Sequence, residues 1–241
     1  MITIITQTYG NERRELYEIR SKDKALQYFI DQFDHNIYSF HNCSEETINF
    51  YKAKNTNKEY IEFNGITYTE TIKKICNKLK KMGCNKLIFL QDDVFSYNQN
   101  LSEIDLLVNE IKTNNNIPLL NIEVKIDDFK NEIVNNVILH KSISEIDIWE
   151  TTTTDFSDNG NYSFDDGPFV IDFNLIDLIF DDEFYKRGDV WSAENYNNDK
   201  FKNIRFPRFV TNKRFLKRYN IIGRNSWDRE NELLRLKEKF L

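Results

Sequence analysis

Lys86-Leu87-Ile88-Phe89-Leu90-Gln91-Asp92-Asp93-Val94-Phe95 decides the fold of this chain, because an apolar run of strand length stops at two adjacent carboxylates. Leu87 to Leu90 is continuously hydrophobic rather than alternating, the pattern of a strand covered on both faces in a mostly parallel sheet. Open α/β sheets bind ligands outside the carboxyl ends of such strands. Two acids placed there suffer desolvation and mutual repulsion unless a cation or a proton donor shares the site. A hard divalent ion is the simplest partner, since carboxylate and phosphate oxygens suit magnesium or manganese. A turn carrying solvated acids is the competing reading of the same residues.

Outward from this strand the chain reads as β-α-β-α-β followed by a strand-rich second half. Residues 2–6 form a first strand, 7–13 a polar exit loop, and 14–33 one helix with Leu16, Ile19, Leu26, Phe29 and Ile30 on its apolar face. Residues 36–40 form a second strand, running into His41-Asn42-Cys43-Ser44, and 45–51 a short helix. Residues 60–68 alternate around Asn64-Gly65, a hairpin signal. Thr69 caps the next helix and Gly83 closes it. Ser102 with Asp105 marks a further helix start. Residues 117–124, 133–140 and 146–152 read as strands, and Asp158-Asn159-Gly160-Asn161 as a turn before a strand at 162–164. Residues 169–180 read as a strand leading into a helix, and 226–241 as an amphipathic helix with Leu233, Leu236 and Phe240 on one stripe.

A chain of 241 residues, 40 % hydrophobic and 14 % aromatic, has material for one large core. Seven Gly and three Pro are too few for a linker-rich or disordered protein. Cys43, Cys76 and Cys84 match no zinc spacing, and reduced thiols in a cytoplasmic setting are expected. Met1-Ile2-Thr3-Ile4-Ile5 has no basic n-region, so no signal peptide is expected, and no apolar run approaches a bilayer span. The net charge of −6 conceals nine basic residues and no acid between Lys200 and Trp227, which leaves about −15 on the remainder. Such a segment grips phosphates locally without making the protein a nucleic-acid binder, or it balances the acidic body. Peripheral membrane contact stays open.

In order, these motifs resemble those of GT-A type glycosyltransferases, which use nucleotide-sugar donors. Thr8-Tyr9-Gly10-Asn11-Glu12-Arg13 is similar to the family's nucleotide-contacting first loop, and Gln91-Asp92-Asp93-Val94-Phe95 to its acidic metal motif. Phe164-Asp165-Asp166-Gly167-Pro168-Phe169-Val170 stands where the family has a loop near donor sugar and acceptor. Gly188-Asp189-Val190-Trp191 resembles the later motif whose Asp serves as base. The resemblance covers residues 1–191 and implies an α/β, GT-A-like single domain over 1–225. Its Rossmann-like nucleotide-binding half (1–100) would share a mixed central sheet with an acceptor-binding half (101–225), and 226–241 would be a C-terminal amphipathic helix. Gln91 departs from the common motif, which has an acid there, and no late His follows His140.

The resemblance implies Mn2+ or Mg2+ at Asp93, with Asp92 on the metal, the ribose or a water. Thr8, Tyr9, Arg13 and Asn42 would contact the donor, with Arg14 an alternative to Arg13 for phosphate. Lys213, Arg214, Lys217 and Arg218 would supply diphosphate clamps. Asp189, or else Glu194, would be the base, and Asp165, Asp166, Gly167 and Trp191 would meet sugar or acceptor. Charge growing on the departing diphosphate needs cations, and the acceptor hydroxyl needs a carboxylate to take its proton. The expected activity is sugar transfer from a nucleotide-sugar donor to a hydroxyl acceptor such as a glycan, with inversion. A sugar-nucleotide nucleotidyltransferase is an alternative, although it would carry a glycine-rich first loop and residues 7–13 contain only Gly10. A non-catalytic sugar- or nucleotide-binding module is the other.

Overall fold

A computed structural model describes residues 1–10, 14–54, 58–125, 137–152, 168–203, 207–219 and 226–241. In chain order the elements are β1 (Ile2–Tyr9), α1 (Arg14–Arg20), α2 (Lys24–Asp31), β2 (His35–His41), α3 (Glu45–Lys54), β3 (Glu59–Phe63), α4 (Tyr68–Lys81), β4 (Lys86–Gln91), β5 (Val94–Ser96) and α5 (Leu101–Thr113). There follow β6 (Leu119–Lys125), β7 (Ile138–Ile143), β8 (Ile146–Thr152), β9 (Phe169–Asp172), α6 (Ile176–Ile179), α7 (Asp182–Tyr185), α8 (Val190–Asn203), β10 (Pro207–Thr211), β11 (Leu216–Arg218) and α9 (Ser226–Phe240).

Among the described residues nine strands make one mixed sheet in the order β3-β2-β1-β4-β9-β6-β10-β8-β7, and β5 pairs with β11 in a second, two-stranded sheet. β1 to β4 run parallel, and β9 runs antiparallel between β4 and β6. Alternation along β1 sends Ile5 to a layer with Ile72, Leu79, Leu87, Phe89 and Phe184. Ile4 faces the opposite layer with Leu26, Phe29, Ile88, Leu90 and Leu107. Covering both faces is what the unbroken apolar run of β4 requires. None of the helices among the described residues is long and apolar enough to cross a membrane.

Several sequence expectations are corrected. The helix expected over 14–33 is two, because the Asp23 carboxylate caps α2 at the Leu26 N–H (3.0 Å) and also accepts from the Ser96 N–H (2.7 Å). Asn64-Gly65 makes no hairpin: β3 pairs in parallel with β2, and Gly65 (φ +70°) turns the chain into α4. The cap of α4 is Thr67, in a reciprocal capping box with Glu70, rather than Thr69. At the far end, Gly83 (φ +71°) closes α4, with the Cys84 N–H on the Leu79 carbonyl and the Gly83 N–H on that of Lys80. Asn100, not Ser102, caps α5. α9 forms as expected, burying Leu236 against Leu16, Ile19 and Phe95. The turn at 158–161 and the strand at 162–164 lie outside the described residues.

Candidate functional site

The carboxyl edge of β1, β2 and β4 brings together Thr8, Tyr9, Asn42, Asp92 and Asp93 of the residues singled out above. β1 continues as a strand through Tyr9, and Gly10, at φ +78°, donates its N–H to the His41 carbonyl at the end of β2 (3.1 Å). Asn42 follows at φ +52°, with its side-chain oxygen accepting from the Gly65 N–H (3.1 Å). His41 Nε2 bonds the Ile66 carbonyl (2.8 Å), so the start of α4 is tied to the same edge. Thr8 is fully buried.

One row of the sheet is polar. Ser39, Gln7 and Gln91 are register neighbours across β2, β1 and β4. Ser39 Oγ and Gln7 Nε2 are buried with no hydrogen-bond partner among the described residues. Sequence reasoning missed this row, although polar residues inside an otherwise apolar strand are the signal that finds it.

At the end of β4, Asp92 and Asp93 are each 1 % exposed, and the Asp92 N–H is held by the Gln7 carbonyl (3.0 Å). Buried acids require nearby positive charge. Arg20, also 1 % exposed, donates Nε to the Val94 carbonyl (3.2 Å) and Nη2 to Thr6 Oγ1 (3.4 Å), placing a buried guanidinium beside the residue that follows the acid pair. Arg218 arrives from the other side. Its Nη1 donates to Gln91 Oε1 (3.3 Å), its N–H to Glu123 Oε1 (2.8 Å), and the next N–H, of Tyr219, to the Asp93 carbonyl (3.1 Å).

Lys213, Arg214 and Lys217 meet other partners. Lys213 pairs with Glu103 (2.8 Å) and Glu145 (3.1 Å), and its ammonium holds the Glu103 carboxyl below the ordinary carboxylate range. Arg214 donates Nε to the Glu123 carbonyl (2.9 Å) and lies over Tyr97. Lys217 lies over Tyr219. Phe215 and Leu216 are buried and β11 pairs with β5, so this stretch is fastened to the body. Arg14 is exposed beside Glu18, Glu46 and Phe50.

Asp189 precedes α8 and is exposed. Its carboxylate accepts from the Ser192 N–H (2.9 Å) and hydroxyl (2.7 Å), a helix-capping arrangement. Thr69 connects it to the sheet edge. The Thr69 hydroxyl donates to the Tyr185 carbonyl (3.0 Å) and accepts from the Gly188 N–H (3.2 Å), while the Thr69 N–H meets the Gly188 carbonyl (3.3 Å). Arg13, Asp165, Asp166 and Gly167 lie outside the described residues, as do the side chains of Tyr9, Trp191 and Glu194.

Asp92 and Asp93 supply the hard oxygen donors that magnesium or manganese takes, and such ions commonly bind through one or two carboxylates plus phosphate and water. The donor set therefore fits a divalent ion shared with a diphosphate. Among the described residues no cluster of three or more His, Cys, Asp or Glu forms a complete cage.

No family model and no curated protein matches this chain. Solved structures do. HddC from Yersinia pseudotuberculosis aligns over 100 % of both chains, with TM-score 0.54 and 14 % identity. UDP-glucose pyrophosphorylase, in its complex with UDP-glucose, aligns over 100 % of this chain and 98 % of its own, with TM-score 0.50 and 10 % identity. TarS of S. aureus aligns over 98 % of this chain but only 38 % of its own length, with TM-score 0.50 and 12 % identity. The fold is thus the mixed α/β, Rossmann-like fold that these structures share.

Proposed function

We propose that this protein is a glycosyltransferase that moves a sugar from a nucleoside-diphosphate donor to a hydroxyl acceptor. The observation that carries the reading is the buried Asp92–Asp93 pair at the carboxyl end of β4, with Arg218 beside it. Thr8, Tyr9 and Asn42, at the ends of β1 and β2, are assigned to the nucleotide, and Arg218 to the diphosphate. Asp93, with Asp92, would hold a divalent ion, which supplies a Lewis acid for the leaving group when bound.

In the transfer, the acceptor oxygen forms a bond to the anomeric carbon as the bond from that carbon to the β-phosphate oxygen breaks. The electron pair leaves with the diphosphate, where the Arg218 guanidinium offsets it. The acceptor proton passes to Asp189, whose bonds to Ser192 orient the carboxylate. Glu194 is the second candidate. Residues 165–167 and Trp191 are assigned to sugar and acceptor.

The full-length likeness to UDP-glucose pyrophosphorylase favours nucleotidyl transfer as a second reading. Against it, the exit of β1 contains only Gly10, too little for a glycine-rich phosphate loop. Incubation with a panel of nucleotide sugars and manganese separates the two. Release of nucleoside diphosphate is the expected product, whereas pyrophosphate-dependent formation of nucleoside triphosphate would replace the first reading with the second. Binding without turnover would make the protein a module.

A further inference from the structure

We propose that Gln91 is a positioning residue for Arg218: its amide oxygen fixes the guanidinium over the diphosphate site without adding a third negative charge to the acidic turn. This rests on the function proposed above, and it explains the one position at which the motif lacks an acid.

The backbone around Arg218 is fixed from three directions, by Val94 across β5, by Glu123 and by Asp93. A long, flexible stem still separates that backbone from the charge. Gln91 Oε1, at 3.3 Å from Nη1, meets the far end. Gln91 is itself held in register with Gln7 at the end of β4, so its amide is mounted on a rigid element.

A carboxylate at position 91 would change the electrostatics in two ways. It would draw the guanidinium into a forked ion pair, turning it from the substrate towards the protein. It would also stand next to two buried acids, where like charges raise one another's cost of ionisation. The neutral amide accepts the bond and does neither. The guanidinium charge at Oε1 disfavours a second cation there, so the turn divides the work. Arg218 serves the diphosphate from the Gln91 side, and Asp92 and Asp93 serve it through a divalent ion. Diphosphate binding accordingly keeps a component that needs no metal.

The experiment is calorimetric titration of the full chain with inorganic pyrophosphate and a panel of nucleoside diphosphates, in EDTA and in magnesium. In EDTA, Arg218→Gln should weaken binding about tenfold or more, and Gln91→Met by a smaller factor of roughly five. The double variant should bind no more weakly than Arg218→Gln alone, because Gln91 acts only through the guanidinium. Gln91→Glu, which keeps the shape, should weaken binding in EDTA and make it more dependent on magnesium. Additive losses in the double variant, or unchanged binding in both Gln91 variants, would overturn the proposal. Failure of the unaltered protein to bind any diphosphate under either condition would instead remove the nucleotide-sugar reading on which it stands.

Discussion

Thr69→Val tests whether the loop carrying Asp189 is anchored as the structure has it. Valine keeps the branched shape of a side chain that is fully buried, so packing is preserved and only the hydroxyl is lost. That hydroxyl serves two backbone groups, the Tyr185 carbonyl and the Gly188 N–H. Each partly buried group left unpaired costs about 1–3 kcal/mol, and partial access to water puts these two near the lower end, for a total of about 2–3 kcal/mol. Against a usual stability of about 5–15 kcal/mol this is a large fraction. For a chain of this size the melting temperature should fall by roughly 4–12 °C. The Thr69 N–H still holds the Gly188 carbonyl, so the loop loosens rather than detaches. Urea denaturation gives the stability, and sugar transfer measured beside diphosphate binding gives the functional split. Transfer should fall more than the fraction of folded protein does, with diphosphate affinity retained. A stability loss below about 0.5 kcal/mol, within the range of an ordinary surface substitution, would refute the anchoring argument. So would a loss of diphosphate affinity in step with transfer.

Asp93→Ala should abolish transfer and the metal dependence of diphosphate binding while the protein stays folded; normal metal dependence in the variant would take Asp93 out of the site. Asp189→Asn should lower transfer by roughly 10²–10⁴-fold, the usual range for a general base, with donor affinity little changed. If Glu194→Gln gives that pattern instead, the base is Glu194. The Glu103 carboxyl titrates below its ordinary 4.5 because Lys213 bonds its charged form, so this pair's contribution is complete above that value and is lost as pH falls through the depressed one. Glu103→Gln should therefore flatten the acid limb of a stability–pH curve by about 1 kcal/mol, and an unchanged limb would show that the pair contributes nothing there. Amide exchange across 215–219 should be slow before any ligand is added, since these residues are bonded to Ile122, Glu123, Asp93 and β5; rapid exchange there would refute this fastening.

The parallel core was legible because its signal is local and one-dimensional. The continuous hydrophobicity of Leu87 to Leu90, the periodicity of α4 around Ile72, Ile75 and Leu79, and the stripe of α9 each read directly as the element that forms. The errors fall where two local signals compete. Ser21-Lys22-Asp23 carries a helix-start residue inside an apparently continuous helical pattern, and Asp23 prevails because Ser96, distant in sequence, donates to the same carboxylate. Asn64-Gly65 carries the turn chemistry of a hairpin, but the capping box of Thr67 and Glu70 three residues on draws the chain into a helix. Site residues were legible only where a motif marked them. Nothing in spacing or composition links Gln91 with Arg218 across 127 residues, or Thr69 with Gly188 across 119.

The basic stretch illustrates why composition alone cannot assign a site. A body carrying about −15 attracts cations wherever its acids lie, and the fold decides what each one meets. Lys213 meets two carboxylates, and its ion pairs join α5 to the turn between β7 and β8. Arg214 and Lys217 lie over tyrosine rings, where their stems cover apolar surface and their charges face ring electrons. Arg218 differs in its setting rather than its type. It stands one strand from two buried acids, and its guanidinium bonds a neutral amide at the end of β4. The division of roles within 213–218 therefore follows from what the acids and amides of the body do to each cation. On the function proposed above, Gln91, which departs from the motif, positions the cation that serves the diphosphate.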